Sequence, residues 1–209
     1  MLTVVGNLKG GTGKSTVAFN LAVWLAHDKS GVMAFDLDPQ CTLVDVCDVR
    51  QEDGFEPIVE VSTDLDKLTK MARDKKNKKP IIVDMSATNM FAMEKAISLA
   101  DRILIPIQPS QADIWSTQRF LKIVRNNINK KRKTEVLGFL NRSDTHIGVR
   151  ETAEAEQALK MMQGIKALGI RLHQRTAYRR SFSEGLAVFE LDPMGKASKE
   201  MKKLATMLD

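Results

Sequence analysis

Aromatic side chains are scarce in this sequence: 5% of 209 residues, with one tyrosine and two tryptophans. With 43% hydrophobic and 28% charged residues overall, the core must be built mainly from aliphatic side chains. There are only two cysteines, Cys41 and Cys47, and they lack metal-ligand spacing. This excludes a disulfide scaffold and a zinc cluster and suits a reducing compartment. His27, His146 and His173 are scattered, without acidic or cysteine partners at ligand spacing, so no metal site is expected beyond one shared with a bound ligand. No apolar run approaches the ~20 residues of a spanning helix. Neither a basic leader nor a cleavage site precedes the first strand-like run, so a cytoplasmic protein is expected. Internal repeats, low-complexity tracts and Gly/Pro/Ser-rich linkers are also missing, which points to one domain over residues 1–209. The charge excess, 32 Lys+Arg against 26 Asp+Glu, permits an anionic partner without naming one.

What is present is an alternation. Short apolar runs at 2–5, 31–35, 81–83, 103–107 and 136–140 are separated by amphipathic stretches at 14–28, 63–76, 90–100, 112–129 and 150–163. A further helical spacing covers 195–208. Runs that are apolar throughout read as strands buried on both faces, hence parallel. The expected fold is therefore α/β: a mostly parallel twisted sheet with helices on both faces. Lys75-Lys76-Asn77-Lys78-Lys79 reads as a solvated turn.

One loop carries chemistry. Gly10-Gly11-Thr12-Gly13-Lys14-Ser15-Thr16 lies between the first strand and the first helix, the context a phosphate site requires. Backbone N–H groups from Gly10 to Ser15 can converge on one concavity, and the helix N-terminus adds positive potential. Lys14 would reach the terminal phosphates of a nucleotide, and the Ser15 hydroxyl would bind Mg²⁺. Two acidic sites accompany the loop. Asp84 ends the buried run Ile81-Ile82-Val83, where a Walker B aspartate belongs. Asp36 and Asp38 leave the carboxyl end of the second strand, where open α/β sheets place ligands. The loop is nevertheless unusual, because Leu8 stands where the general pattern wants glycine and a second lysine, Lys9, follows it.

Lys9-Gly10-Gly11-Thr12-Gly13-Lys14-Ser15-Thr16 resembles the deviant Walker A signature of the ParA/MinD superfamily of ATPases. Asp36-Leu37-Asp38-Pro39-Gln40 is similar to the box after the second strand in ParA-type partition ATPases. Ile105-Pro106-Ile107-Gln108-Pro109-Ser110-Gln111-Ala112-Asp113 and the segment from Gln174-Arg175 to Phe189 are similar to further family tracts. The resemblance, to the short class without an N-terminal helix-turn-helix region, implies the three-layer P-loop NTPase fold and an ATP- and Mg²⁺-dependent homodimer closed over two nucleotides. It implies that Lys9 acts on the partner's ATP, Lys14 in cis, and that Asp38 positions the attacking water. Asp36 would support magnesium with Ser15 and Asp84, and Asn141 would contact adenine. After Asp84 the family often has prolines, whereas this chain reads Met85-Ser86-Ala87-Thr88-Asn89.

Two basic clusters stand out. No acidic residue occurs between Ile114 and Thr134, a stretch holding Arg119, Lys122, Arg125 and Lys130 to Lys133. Arg171, Arg175, Arg179 and Arg180 surround Tyr178. Taken with the resemblance, Arg119, Lys122, Arg175, Arg179 and Arg180 are expected to hold nonspecific DNA phosphates. The implied role is a nucleoid-associated partition or positioning ATPase, slow until a cargo-adaptor protein stimulates it, its cargo being a plasmid, a chromosome locus or a protein assembly. The rivals are a MinD-like membrane-surface regulator and an accessory ATPase of conjugative DNA transfer. A metal-cluster carrier is disfavoured because Cys41 and Cys47 lack a bridging motif.

Overall fold

The computed structural model describes residues 1–27, 31–146 and 150–208. In chain order the elements are β1 (Leu2–Val5), α1 (Lys14–Ala26), β2 (Met33–Asp36), α2 (Thr42–Glu52), β3 (Glu60–Ser62), α3 (Leu65–Arg73), β4 (Ile81–Asp84) and α4 (Met90–Leu99). They continue as β5 (Arg102–Ile107), α5 (Gln111–Asn127), β6 (Glu135–Ser143), α6 (Arg150–Met161), β7 (Lys166–His173), α7 (Thr176–Ser183), α8 (Val188–Leu191) and α9 (Lys196–Thr206). The strands form one seven-stranded sheet in the order β3-β2-β4-β1-β5-β6-β7. Every neighbouring pair is parallel.

The apolar runs explain the centre of this sheet. β1, β2, β4 and β5 are buried at every position, because helices cover both faces. One face packs against α1, α2, α8 and α9, through Phe19, Leu43, Phe189, Met201 and Leu204. The other packs against α3 to α6, through Leu68, Met93, Ile97, Phe120 and Leu159. This is the three-layer arrangement expected of a P-loop nucleoside-triphosphatase fold. From β1 the chain crosses to β2, steps out to β3 and returns to β4 beside β1, then passes to β5, β6 and β7 on the other side. The carboxyl ends of β1, β2 and β4 thus lie together where the strand order reverses. Open α/β sheets bind ligands there.

The observed elements depart from the expected ones mainly toward the edges. Residue 28, the expected end of α1, lies outside the described residues. β3, α2, β7, α7 and α8 have no counterpart among the apolar and amphipathic runs. β3 and β7 are edge strands with partly exposed residues, so they lack the continuous apolar signature of the central ones.

Candidate functional site: a phosphate loop beside a second cavity

The loop between β1 and α1 is shaped by what surrounds it. Helices α3, α4 and α5 begin with side-chain caps: Asp64 accepts from Asp66 and Lys67 N–H, Asn89 from Ala92 N–H and Ser110 from Asp113 N–H. At α1 the cap position is Gly13, in the left-handed region (φ 86°) and without any side-chain cap. Its first N–H groups are thus left for an external acceptor, which is what an anion site needs. A Cβ at position 13 would fall 2.5 Å from Asn141 Nδ2, so glycine is required by both dihedral and space.

A cavity of about 490 Å³ opens over this loop, lined among others by Gly10, Gly13, Lys14, Ser15, Asp38 and Thr88. Lys14 is buried, and its ammonium donates to Lys9 O at 3.3 Å. Asp36 and Asp84 are register partners at the ends of β2 and β4, so their carboxyl groups leave adjacent strands on the same face. Both Asp84 oxygens are buried and unpartnered. Burial pushes its carboxyl up to about 7; the nearby Ser15 hydroxyl offsets part of this, Asp36 and Asp38 add to it, and Lys14 opposes them. Two orphaned carboxylate oxygens beside a serine hydroxyl form a hard, all-oxygen donor set that fits Mg²⁺ completed by phosphate and water.

Asp36 is differently used. Its carboxylate accepts from Asp38 N–H at 3.0 Å and from Leu43 and Val44 N–H at 2.8 and 3.1 Å. Burial raises its pKa, and those three N–H groups work against the rise. Asp36 thus braces the 36–44 segment and the start of α2, so Asp84 is the carboxylate with free oxygens for a metal. Asp38, by contrast, is partly exposed and lines the cavity, its Oδ1 accepting from Gln40 N–H at 3.0 Å.

Lys9 does not line this cavity. Its ammonium forms an ion pair with Asp113 on the first turn of α5, a fully buried carboxylate that also accepts from the Ser110 hydroxyl. Asp113 closes the family-like tract from Ile105, yet sequence assigned it no role; its place three residues after Ser110 was the available signal.

A second cavity, about 280 Å³, adjoins the first and is lined by Gly13, Thr16, Asn141, Arg142, Tyr178 and Phe182 among others. Asn141 Nδ2 donates to Thr12 O at 2.7 Å, which fixes the orientation of its amide. Phe182 lines both cavities and meets Phe19 edge-on at 5.6 Å. Burial pushes the Tyr178 phenol above its ordinary value, and its hydroxyl donates to Ala197 O. Arg142, Tyr178 and Phe182 carried no assignment from sequence, because they converge from β6 and α7 without forming a motif.

The five expected DNA-contacting residues do not form one stripe. Arg119 and Lys122 are exposed on α5, in one helical layer, while Arg179 and Arg180 are exposed on α7, in the other. Arg175 is half-buried in an ion pair with Glu200, bonded through Nε at 3.0 Å and Nη2 at 2.6 Å, and is not a free surface cation. Sequence spacing hides this pairing, since Glu200 arrives from α9.

Known proteins resemble this chain in sequence and in fold. Residues 3–188 match the CobQ/CobB/MinD/ParA nucleotide binding domain. The chain belongs to that family. It is 26% identical over 197 residues to the maintenance of carboxysome distribution protein A of Halothiobacillus neapolitanus, covering 93% of this chain and 89% of that protein. The structure of an ATP complex of McdA from Cyanothece matches with a TM-score of 0.71 and 19% identity, over 99% of this chain and 95% of the other. The septum site-determining protein MinD of Pyrococcus horikoshii, complexed with Mg-ADP, gives a TM-score of 0.71 and 19% identity over 100% and 95%. At those identities the two structures establish the shared fold.

Proposed function

We propose that this protein is an ATP-hydrolysing positioning protein that dimerises on ATP, binds nonspecific DNA in that state and is stimulated by a partner bound to its cargo. The observation that carries this reading is the division of labour between the two lysines. Lys14 already supplies a cation to its own phosphate cavity, whereas Lys9 is parked on Asp113 outside it. A lysine displaced from its own site is available to a second copy, where it stabilises charge developing on the partner's phosphates.

The residues support the rest of the cycle. The N–H groups of residues 10–15 and Lys14 hold the phosphates, Ser15 and Asp84 hold Mg²⁺, Asp36 braces the segment that carries Asp38, and Asp38 orients the attacking water. Bound Mg²⁺ would neutralise phosphate charge. Adenine fits the second cavity, where Asn141, its Nδ2 spent on Thr12 O, presents Oδ1 as an acceptor to an exocyclic amine. Helix α7 puts Tyr178 and Phe182 toward that cavity and Arg180 toward solvent, while the exposed Arg179 also lines the cavity, which links nucleotide to a DNA-facing surface. The Arg180–Glu184 ion pair is solvent-exposed and weak, so Arg180 can exchange Glu184 for a phosphate. DNA is favoured over a lipid surface because the apolar side of α9, with Ala197, Met201 and Leu204, is buried in the core. No described helix is long and apolar enough to cross a membrane.

The test is sedimentation with unrelated duplexes, with and without ATP, over a salt series, alongside size exclusion. The expected result is an ATP-dependent dimer whose DNA binding weakens steeply with salt. Arg179→Glu/Arg180→Glu should abolish DNA binding while Arg119→Glu/Lys122→Glu weakens it less. Lys9→Ala should still bind ATP but turn over at least about tenfold more slowly. DNA binding indifferent to both ATP and salt, or normal turnover in Lys9→Ala, overturns the reading.

A further inference from the structure

The phosphate loop is held by side chains from outside its own signature. Gln108 Nε2, just beyond β5, and Arg142 Nη1, in β6, each donate to Gly11 O at 2.6 Å. Asn141 Nδ2 grips the next carbonyl, Thr12 O, at 2.7 Å. Gly11 is exposed, and water alone would satisfy its carbonyl oxygen. Two donors from separate strand ends on that one oxygen therefore do more than satisfy it. Arg142 reaches it from a left-handed backbone conformation (φ 56°), which is uncommon for any residue but glycine.

The consequence follows from the planarity of the peptide. In a trans peptide the C=O of one residue and the N–H of the next lie in one plane and point in opposite directions. Holding Gly11 O toward Gln108 and Arg142 therefore aims the Thr12 N–H away from them, and holding Thr12 O toward Asn141 aims the Gly13 N–H away from it. Two consecutive N–H groups aimed at one point are the element of an anion-binding nest. Among the described residues neither N–H has a hydrogen-bond acceptor of its own. Gly11 itself takes φ 74°, a conformation the free loop would leave as often as keep.

We propose that Gln108 and Arg142 are positioning residues of the phosphate site: by gripping the Gly11 carbonyl from outside, they set the nest before nucleotide arrives. The inference rests on the phosphate-binding reading above. Arg142 also lines both cavities, so a direct contact with phosphate is the competing role. Gln108 lines neither cavity, and this separates the two.

The experiment is a double-mutant cycle with Gln108→Ala and Arg142→Ala, reading the dissociation constants of Mg-ADP and of adenosine. Each single variant should weaken Mg-ADP by about three- to tenfold, the range of one hydrogen bond, and leave adenosine unchanged. Because the two donors share one acceptor, the double variant should lose less than the product of the singles. Arg142→Lys, which keeps a donor, should recover part of the loss. An effect of Arg142→Ala with none of Gln108→Ala would assign Arg142 to the phosphate directly and overturn the proposal. Equal weakening of ADP and adenosine would overturn it too, as a general structural loss. Should an alanine variant not fold, Gln108→Met and Arg142→Met, which keep bulk and remove the donor, carry the same cycle. A wild-type protein that binds neither ADP nor ATP overturns the proposed function instead.

Discussion

The proposed phosphate end of the site and its proposed base end are built in opposite ways. The phosphate end is local: consecutive residues 9–16 between one strand and one helix, completed by carboxylates at the ends of neighbouring strands. The base end is assembled from a distance. Asn141 and Arg142 come from β6, Tyr178 and Phe182 from α7, and the chain that follows α7 is tied down by α2. Arg50 of α2, fully buried, donates to Gly185 O at 3.0 Å and to Pro57 O at 2.9 Å, and both of its terminal nitrogens reach the Glu190 carboxylate, at 2.7 and 2.8 Å. Burial alone would raise the Glu190 carboxyl; hydrogen bonds from Arg50 and Ala187 N–H outweigh it and hold the pKa below its ordinary value. Chemistry at the phosphate end is thus a property of the backbone in one loop. Shape at the base end is a property of the fold.

Substitutions at the two ends should therefore fail differently. Lys14→Ala removes the in-cis cation and should lower turnover by about 10²-fold or more, the cost typical of losing a transition-state donor. Its melting temperature should stay near that of the wild type, because Lys14 makes one hydrogen bond within the loop and anchors no other element. A Lys14→Ala protein that melts far lower would blur the distinction between the two ends. Glu190→Ala should do the reverse. It strands Arg50 without its carboxylate partner and should cost about 3 kcal/mol in a denaturant titration. While folded, that variant should still bind pyrophosphate at the loop but hold adenosine more weakly. Equal weakening of both ligands would show that the ends are not separately supported.

The same contrast governs what was legible in the sequence. Residues 8–16 could be read because glycine dihedrals, a lysine and a helix start must be adjacent in the chain to work. Asp84 could be read because a buried apolar run that ends in a carboxylate carries a charge to the edge of the core, where it needs a partner. Arg175 looked like a surface cation until α9 supplied Glu200. Asp113 sits inside a family-like tract, yet its ion pair with Lys9 joins residues 104 positions apart. Tyr178 and Phe182 show the i,i+4 spacing of any helix face, which names neither the cavity nor its ligand. β7 and β3 escaped notice because an edge strand needs no continuous apolar run. Local chemistry leaves a local signature, and convergence from separate elements does not.

Asp84 provides the finest test, because it belongs to the phosphate end but its cost is borne by the fold. Its folded pKa is raised to about 7 from 3.8. Between those values the folded protein binds more protons than the unfolded chain, so metal-free stability falls as pH rises across that window and levels off above 7. Asp84→Asn keeps the shape and carries no charge at any pH. Without Mg²⁺ or nucleotide, it should be more stable than the wild type at pH 8, by about 4 kcal/mol, and the gain should shrink toward zero near pH 4. The same substitution should remove the Mg²⁺ dependence of nucleotide binding. A variant less stable than the wild type at pH 8 would mean that the Asp84 charge is already compensated in the empty site, by Ser15 and Lys14. The carboxylate would then be a structural partner of the loop rather than a charge held waiting for a metal.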